Sequence, residues 1–283
     1  MSFSVELGLV LAVLTAFGSV AGFLYKFRGA REAPAVQLRH PLRSSIALFS
    51  SPLYSLGIAI ALASWGLHVG ALALAPISLV QSVIAGGLVL LTVVADRLFG
   101  IEVTRREWVG VMLTAAGLAF LAATLHGDAN AARSRYDPST LAVYLVIVSV
   151  AGSALALRPH KPALLAVSAG LLWAASDTSI KALSSHLGSL GFGVLIHPLA
   201  LVILVASLVG LLISARSLQL GAAVPMIAVT SAAANLTTIA AGPIVFAEPM
   251  PASGLGVAVR VLAFGFVIAA AALTPPPTVD RVT

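Results

Sequence analysis

Long apolar runs alternate with short polar breaks along this chain, and the runs share one length. A hydrocarbon core of ~30 Å demands roughly 20 apolar residues from a helix that crosses it. Runs of that kind fall at about 5–25, 48–74, 76–98, 106–125, 139–157, 162–185, 190–213, 221–246 and 253–274. The pattern predicts an all-α polytopic membrane protein with about nine transmembrane helices. The second and third spans meet at Pro76 with almost no loop, and the run TPPPT stops the last helix, which proline cannot continue. The first run opens with Glu6 rather than a basic segment, so it reads as a permanent span and not as a cleaved leader.

The polar breaks set an orientation. Short loops rich in Lys and Arg stay cytoplasmic. Lys26, Arg28, Arg31, Arg39 and Arg43 crowd the first connection. Nine alternating spans then put Arg97, Arg105, Arg106, Arg158, Lys161, Arg216 and Arg281 on the same side. Only Arg133 and Arg135 fall opposite, so twelve basic residues face two. The expectation is a multi-pass protein of the cell (inner) membrane, N-terminus outside and C-terminus cytoplasmic. A tenth span would spoil the agreement.

Composition narrows the classes. The chain is 59% hydrophobic and 9% charged, whereas soluble domains carry about 25% charged residues. Cysteine is absent, which excludes disulfides and thiolate chemistry. The net charge of +6 is explained by the loops and points to no nucleic acid. No hydrolase elbow, P-loop, HExxH or dinucleotide fingerprint occurs, so neither an enzyme nor a resident cofactor or metal is expected.

One segment has an echo. LALAPISLVQSVIAGGLVLLTVVADRLFGIEVTRREWVGV returns 146 residues later as LQLGAAVPMIAVTSAAANLTTIAAGPIVFAEPMPASGLGV. At that offset Leu72 lies over Leu218, Val83 over Val229, Glu102 over Glu248 and Gly110 over Gly256. Span 3 matches span 8 and span 4 matches span 9. A shift of five spans inverts one copy across the bilayer, as in transporters that alternate access around a central site. Residues 1–138 form the first half with spans 1–4 and the outer loop, 139–161 a linking span 5, and 162–283 the second half.

The pattern ALALAPISLVQSV followed by VVADRLFGIEVTRREWVGVMLTAAGLAFLAAT resembles the drug/metabolite transporter (EamA-like) superfamily. There a long helix, a short acidic loop and a Gly-containing helix follow such a helix end. The nine-span count, the basic first loop and GSVAGFLYKFRG are similar to the NIPA-like branch, whose members are linked to magnesium transport. That branch commonly has an acidic residue and an Asn in span 2, where this chain has Trp65 and His68.

Candidate chemistry resides in the few polar groups inside spans. In WAASDTSIKALSSH, Asp177 and Lys181 lie four residues apart, hence on one helix face. A charge near the bilayer centre costs ~2.5–3.5 kcal/mol on insertion scales, so such groups pair or face a wet cavity. Either a self-satisfied pair or a cavity-facing pair fits. Arg260, inside span 9 with no carboxylate beside it, should seek a partner such as Asp177 or Glu248. His68, Gln81 and His197 fall in outer halves of spans and Asn235 near the middle. Each could bind substrate, move a proton or simply join helices. Trp65 and Trp173 suit either a cavity wall or core packing. Gly18 with Gly22, and Gly66 with Gly70, suit close helix packing.

The reading that gathers these features is a secondary transporter (permease) of a small polar metabolite. Two cations against one carboxylate favour an anionic or zwitterionic substrate, with a proton or ion as coupling partner. Asp177, Lys181, Arg260, Asn235, His68, Gln81, Trp65 and Trp173 would line its path. A NIPA-type magnesium or other cation transporter is the first alternative. A non-transporting membrane scaffold or accessory subunit is the second. A homodimer stays open, and the substrate's identity, direction and coupling ion are not written in the residues.

Overall fold

A computed structural model describes residues 3–37, 39–77, 79–81, 83–84, 94–95, 97, 104–123, 136–158, 160–248, 253–259 and 262–263. Among these the chain is helical, without strands. Helix α1 is Phe3–Glu32, α2 Pro41–Phe49, α3 Pro52–Leu74, α4 Arg105–Ala123 and α5 Pro138–Ala156. Helix α6 is Pro162–Ser184, α7 Leu187–Leu190, α8 Pro198–Leu220 and α9 Ala223–Val245; a 3-10 turn, Gly191–Ile196, links α7 to α8.

Proline writes many of the starts. Helices α2, α3, α5, α6 and α8 all have it in their first turn, where its missing N–H costs nothing and its fixed φ suits the helix. Ser51 caps α3 by accepting from the Tyr54 amide, and Asp137 caps α5 by accepting from the Thr140 amide.

Six described helices are long and apolar enough to cross a membrane: α1, α3, α5, α6, α8 and α9. Large apolar side chains are bare along them. Val10, Phe17, Leu62, Val146, Ile147, Val150, Leu201 and Leu204 all point outward. A soluble protein does not display apolar belts of this extent, so the protein is a polytopic helical membrane protein. Helices α6 and α9 are the interior ones, each with 67% of its apolar window buried.

Most expected spans match these helices within a few residues, and the departures have local causes. The first helix runs on to Glu32, so Lys26, Arg28 and Arg31 lie on α1 rather than in the loop. The second run is split: α2 ends at Phe49, and Ser51 with Pro52 restarts the chain as α3. The seventh starts at Pro198 rather than near 190, because Gly191 takes φ 51° and the chain spends 187–196 in short turns. Span 3 and span 9 lie largely outside the described residues. So do Glu102, Arg133, Arg135, Arg260 and Arg281.

Packing reveals two ends. At one, Val20 and Leu24 of α1 share a core with Ala95, Val111, Ala166, Ala223 and Ile227. At the other, Val5 and Ala12 join Leu72, Ile77, Leu141, Ala182, Leu199, Val245 and Phe246. Taken in order, the six helices long enough to cross a membrane therefore alternate in direction. The basic connections converge at the first end. Arg31 donates to the Gly221 carbonyl at 3.0 Å, Gln219 accepts from the Val36 amide at 2.8 Å, and Ser217 donates to the Pro162 carbonyl at 2.9 Å. We call this the basic end.

Candidate functional site

Toward the opposite end, the backbone breaks between α3 and the helical stretch that starts at Ile77. Ala75 is extended at φ −136° and ψ 161°, and Pro76 follows it. The break leaves the last carbonyls of α3 and the first amides of the next helix without helical partners. Two buried charges satisfy three of these groups. Lys181 of α6, fully buried, donates from Nζ to the carbonyls of Leu72 and Ala75, each at 2.7 Å. The Glu248 carboxylate accepts from the Ile77 amide at 2.7 Å. A cation thus meets a helix C-terminus and an anion a helix N-terminus, the pairing that the helix dipole favours. Glu248 also lies near enough to act on Lys181 through its charge.

The chain after α9 is shaped to deliver Glu248. The Glu248 amide donates to the Gly242 carbonyl at 3.0 Å, and Ala247 has φ 50°. The left-handed residue just past the helix end is alanine, where glycine is usual. A left-handed alanine costs about 1–2 kcal/mol, and the Glu248–Ile77 bond lies on the side of the ledger that offsets it.

About one helical turn deeper, three residues expected to matter do meet. His68 Nε2 lies 3.1 Å from Asp177 Oδ1. Gln81 Nε2 donates to Asp177 Oδ2 at 3.0 Å. His68 and Gln81 are buried, while the Asp177 side chain keeps 16% of its surface exposed. The carboxylate therefore has both oxygens engaged, while the side chain is not fully enclosed. The second ring nitrogen of His68, Nδ1, is buried with no hydrogen-bond partner among the described residues.

Asp177 and Lys181 share a face of α6 but form no ion pair with each other. Each turns to a different partner across the seam with α3. Lys181 serves backbone carbonyls, so its ammonium is spent on the break and is not offered to a cavity. Asn235 is buried on α9. Trp173 is half-buried on α6, with its ring edge-on to Phe23 of α1 at 5.5 Å. Trp65 does not join the group: it is 46% exposed on the outer face of α3. His197 accepts from the Leu199 amide at 3.2 Å and so caps α8, with its ring 5.0 Å from that of His186. Arg260 lies outside the described residues.

Two participants escaped the sequence reading. Glu248 stood out as a repeat match and as a possible partner of Arg260, not as the group that meets the Ile77 amide. Lys26 was counted as a loop cation, yet it is 6% exposed, with Nζ 4.1 Å from the Phe23 ring centroid and 5.6 Å from that of Trp173. The signal that could have found it is the unbroken helical run through GFLYKFRGARE, which carries α1 well past residue 25.

A groove elsewhere, lined by Ser149, Leu172, Leu201, Val205 and Val209, is almost wholly apolar and includes none of these charges. In a bilayer it suits an acyl chain better than a polar solute. Among the described residues no cluster of three or more His, Asp or Glu forms a metal site. Comparison of the chain with family models, with curated proteins and with solved structures gave no match.

Proposed function

We propose that the protein is a secondary transporter of a small polar metabolite, anionic or zwitterionic. It would work by alternating access in the manner of the drug/metabolite transporter superfamily that its sequence resembles. The observation that carries this reading is Asp177: a carboxylate inside an apolar bundle, bound by His68 and Gln81 across the α3–α6 seam, and not fully enclosed. Stabilising such a group needs neighbours; leaving it partly exposed suits a coupling or substrate-binding role.

A second feature supports two inverted halves. Helix α1 packs on α3 as α6 packs on α8, and α1 meets α8 as α3 meets α6. The cationic clamps obey the same exchange. Lys181, late in α6, binds the carbonyl of Ala75 after α3; Arg31, late in α1, binds the carbonyl of Gly221 after α8. Ala75 and Gly221 are 146 residues apart, the offset of the sequence echo. One clamp would brace each end of the bundle and release in turn. The rule for basic loops assigns the basic end to the cytoplasm, with the N-terminus outside.

The test compares a bacterial strain expressing the wild type with one expressing Asp177→Asn at equal membrane levels. Polar metabolites inside and outside the cells are profiled together with magnesium content. A change in the distribution of a small anion or zwitterion that Asp177→Asn abolishes is expected. Unchanged pools, or a variant equal to wild type, would refute the proposal. A change confined to magnesium would favour the cation-transport alternative.

A further inference from the structure

The buried cation of α1 has no counterpart in the scheme above. Lys26 sits six residues before the end of its helix, close enough for its four-carbon stem to turn out toward the basic end. It turns inward instead, over Phe23 and toward Trp173. No carboxylate pairs with it among the described residues. Ring faces supply part of what a desolvated ammonium needs, up to about 2 kcal/mol, against an insertion cost of ~2.5–3.5 kcal/mol for a central charge. The backbone is arranged for the intrusion: Gly57 of α3 lies so close that a Cβ there would stand 2.7 Å from the Lys26 amide nitrogen.

Trp173 connects this cation to the known carboxylate. It lies one helical turn before Asp177, on the same face of α6, a rise of about 6 Å. Helix α3 gives a second measure along the bundle axis. Gly57, beside the Lys26 backbone, and His68, bound to Asp177, are eleven residues apart, about 16 Å along the axis. The Lys26 stem covers about 6 Å of that, so ammonium and carboxylate are separated by roughly 10 Å along the helix axis. Two charge-assisted hydrogen bonds of about 2.8 Å each leave about 4–5 Å. That is the span from ammonium to carboxylate oxygen in a small zwitterion.

Resting on the transport reading, we infer that Lys26 is the anion-binding residue of a zwitterion site whose cation-binding residue is Asp177, with Phe23 and Trp173 as its apolar wall. Lys26 comes from the first half and Asp177 from the second, so a bound zwitterion bridges the halves, and a singly charged molecule does not.

The protein contains three tryptophans, so Trp65→Phe with Trp108→Phe leaves Trp173 as the only reporter. This form in lipid nanodiscs is titrated with 3-aminopropanoate, propanoate and propylamine while Trp173 fluorescence is followed. The zwitterion should bind at least tenfold more tightly than either singly charged compound. Lys26→Met should reduce it to the level of propylamine, Asp177→Asn to that of propanoate, and Lys26→Arg should retain the preference. If Lys26→Met does not fold, Lys26→Gln takes its place, and the wild-type ranking of the three probes decides in its own right. Equal binding of zwitterion and propylamine, or an unchanged preference in the Lys26 variant, overturns the inference. Zwitterion preference with unaltered metabolite pools would sink the transport reading and keep the site. Asp177-dependent pools without that preference would do the reverse.

Discussion

Replacing Lys181 by methionine isolates the charge that holds the α3 break. The substitution keeps the length and bulk of the stem and removes the two bonds to the Leu72 and Ala75 carbonyls. Each stranded buried carbonyl costs about 1–3 kcal/mol, so the pair costs about 4 kcal/mol at mid-range. Against this, the bundle no longer houses an ammonium, worth ~2.5–3.5 kcal/mol on insertion scales. The two nearly cancel, leaving a global loss of about 1 kcal/mol. The local effect should be larger, because the recovered solvation does nothing to hold the break closed. Glu248 also loses the neighbouring cation. Equilibrium unfolding in detergent should therefore show a small loss, while amide exchange at Ala75 and Ile77 rises by tenfold or more. Arg31→Met, at the matching clamp, should speed exchange around Gly221 and leave Ile77 alone. If Lys181→Met leaves exchange at the break unchanged, or Arg31→Met loosens both ends alike, the account of two separate clamps is wrong.

Gly170→Ala should destabilise by about 1–3 kcal/mol, because the new methyl would stand 2.5 Å from the Thr230 carbonyl oxygen and 2.8 Å from Ala233 Cβ; thermal melting in detergent reads it. Gly66→Ala meets nothing within 4 Å and should stabilise by about 0.5–1 kcal/mol through helix propensity, so a loss there would refute the open-face assignment. Hydrogen bonds from the Ser139 hydroxyl first, and then from Thr140, hold the Asp137 carboxyl below the ordinary carboxylate range. A depressed folded-state pKa adds stability above the unfolded value, near pH 4, that is lost as pH falls through the folded one. Melting curves of wild type and Asp137→Asn should accordingly converge toward low pH, and a gap that widens on acidification would reverse the sign.

Much of the fold is legible in residue order because a bilayer reads apolar length directly. Any run of about 20 apolar residues must satisfy its own backbone, so it becomes a helix. That is why α5, α6 and α9 stand where the apolar runs place them. Proline at helix starts and the basic loops then dictate register and the alternation of direction. Side-chain destinations follow a different logic. The sequence puts Asp177 and Lys181 on one face of α6, and a pair four residues apart reads as a candidate ion pair. It carries no record of the extended Ala75 across the seam, whose orphan carbonyls draw Lys181 away while His68 and Gln81 draw Asp177. Lys26 looks like a loop cation until α1 proves long enough to carry it inside. Local periodicity determined which residues are helical and which face they share; only the packing of one helix against the next decided which partner each buried charge would find, because a desolvated charge goes to the nearest complementary group in space rather than in sequence.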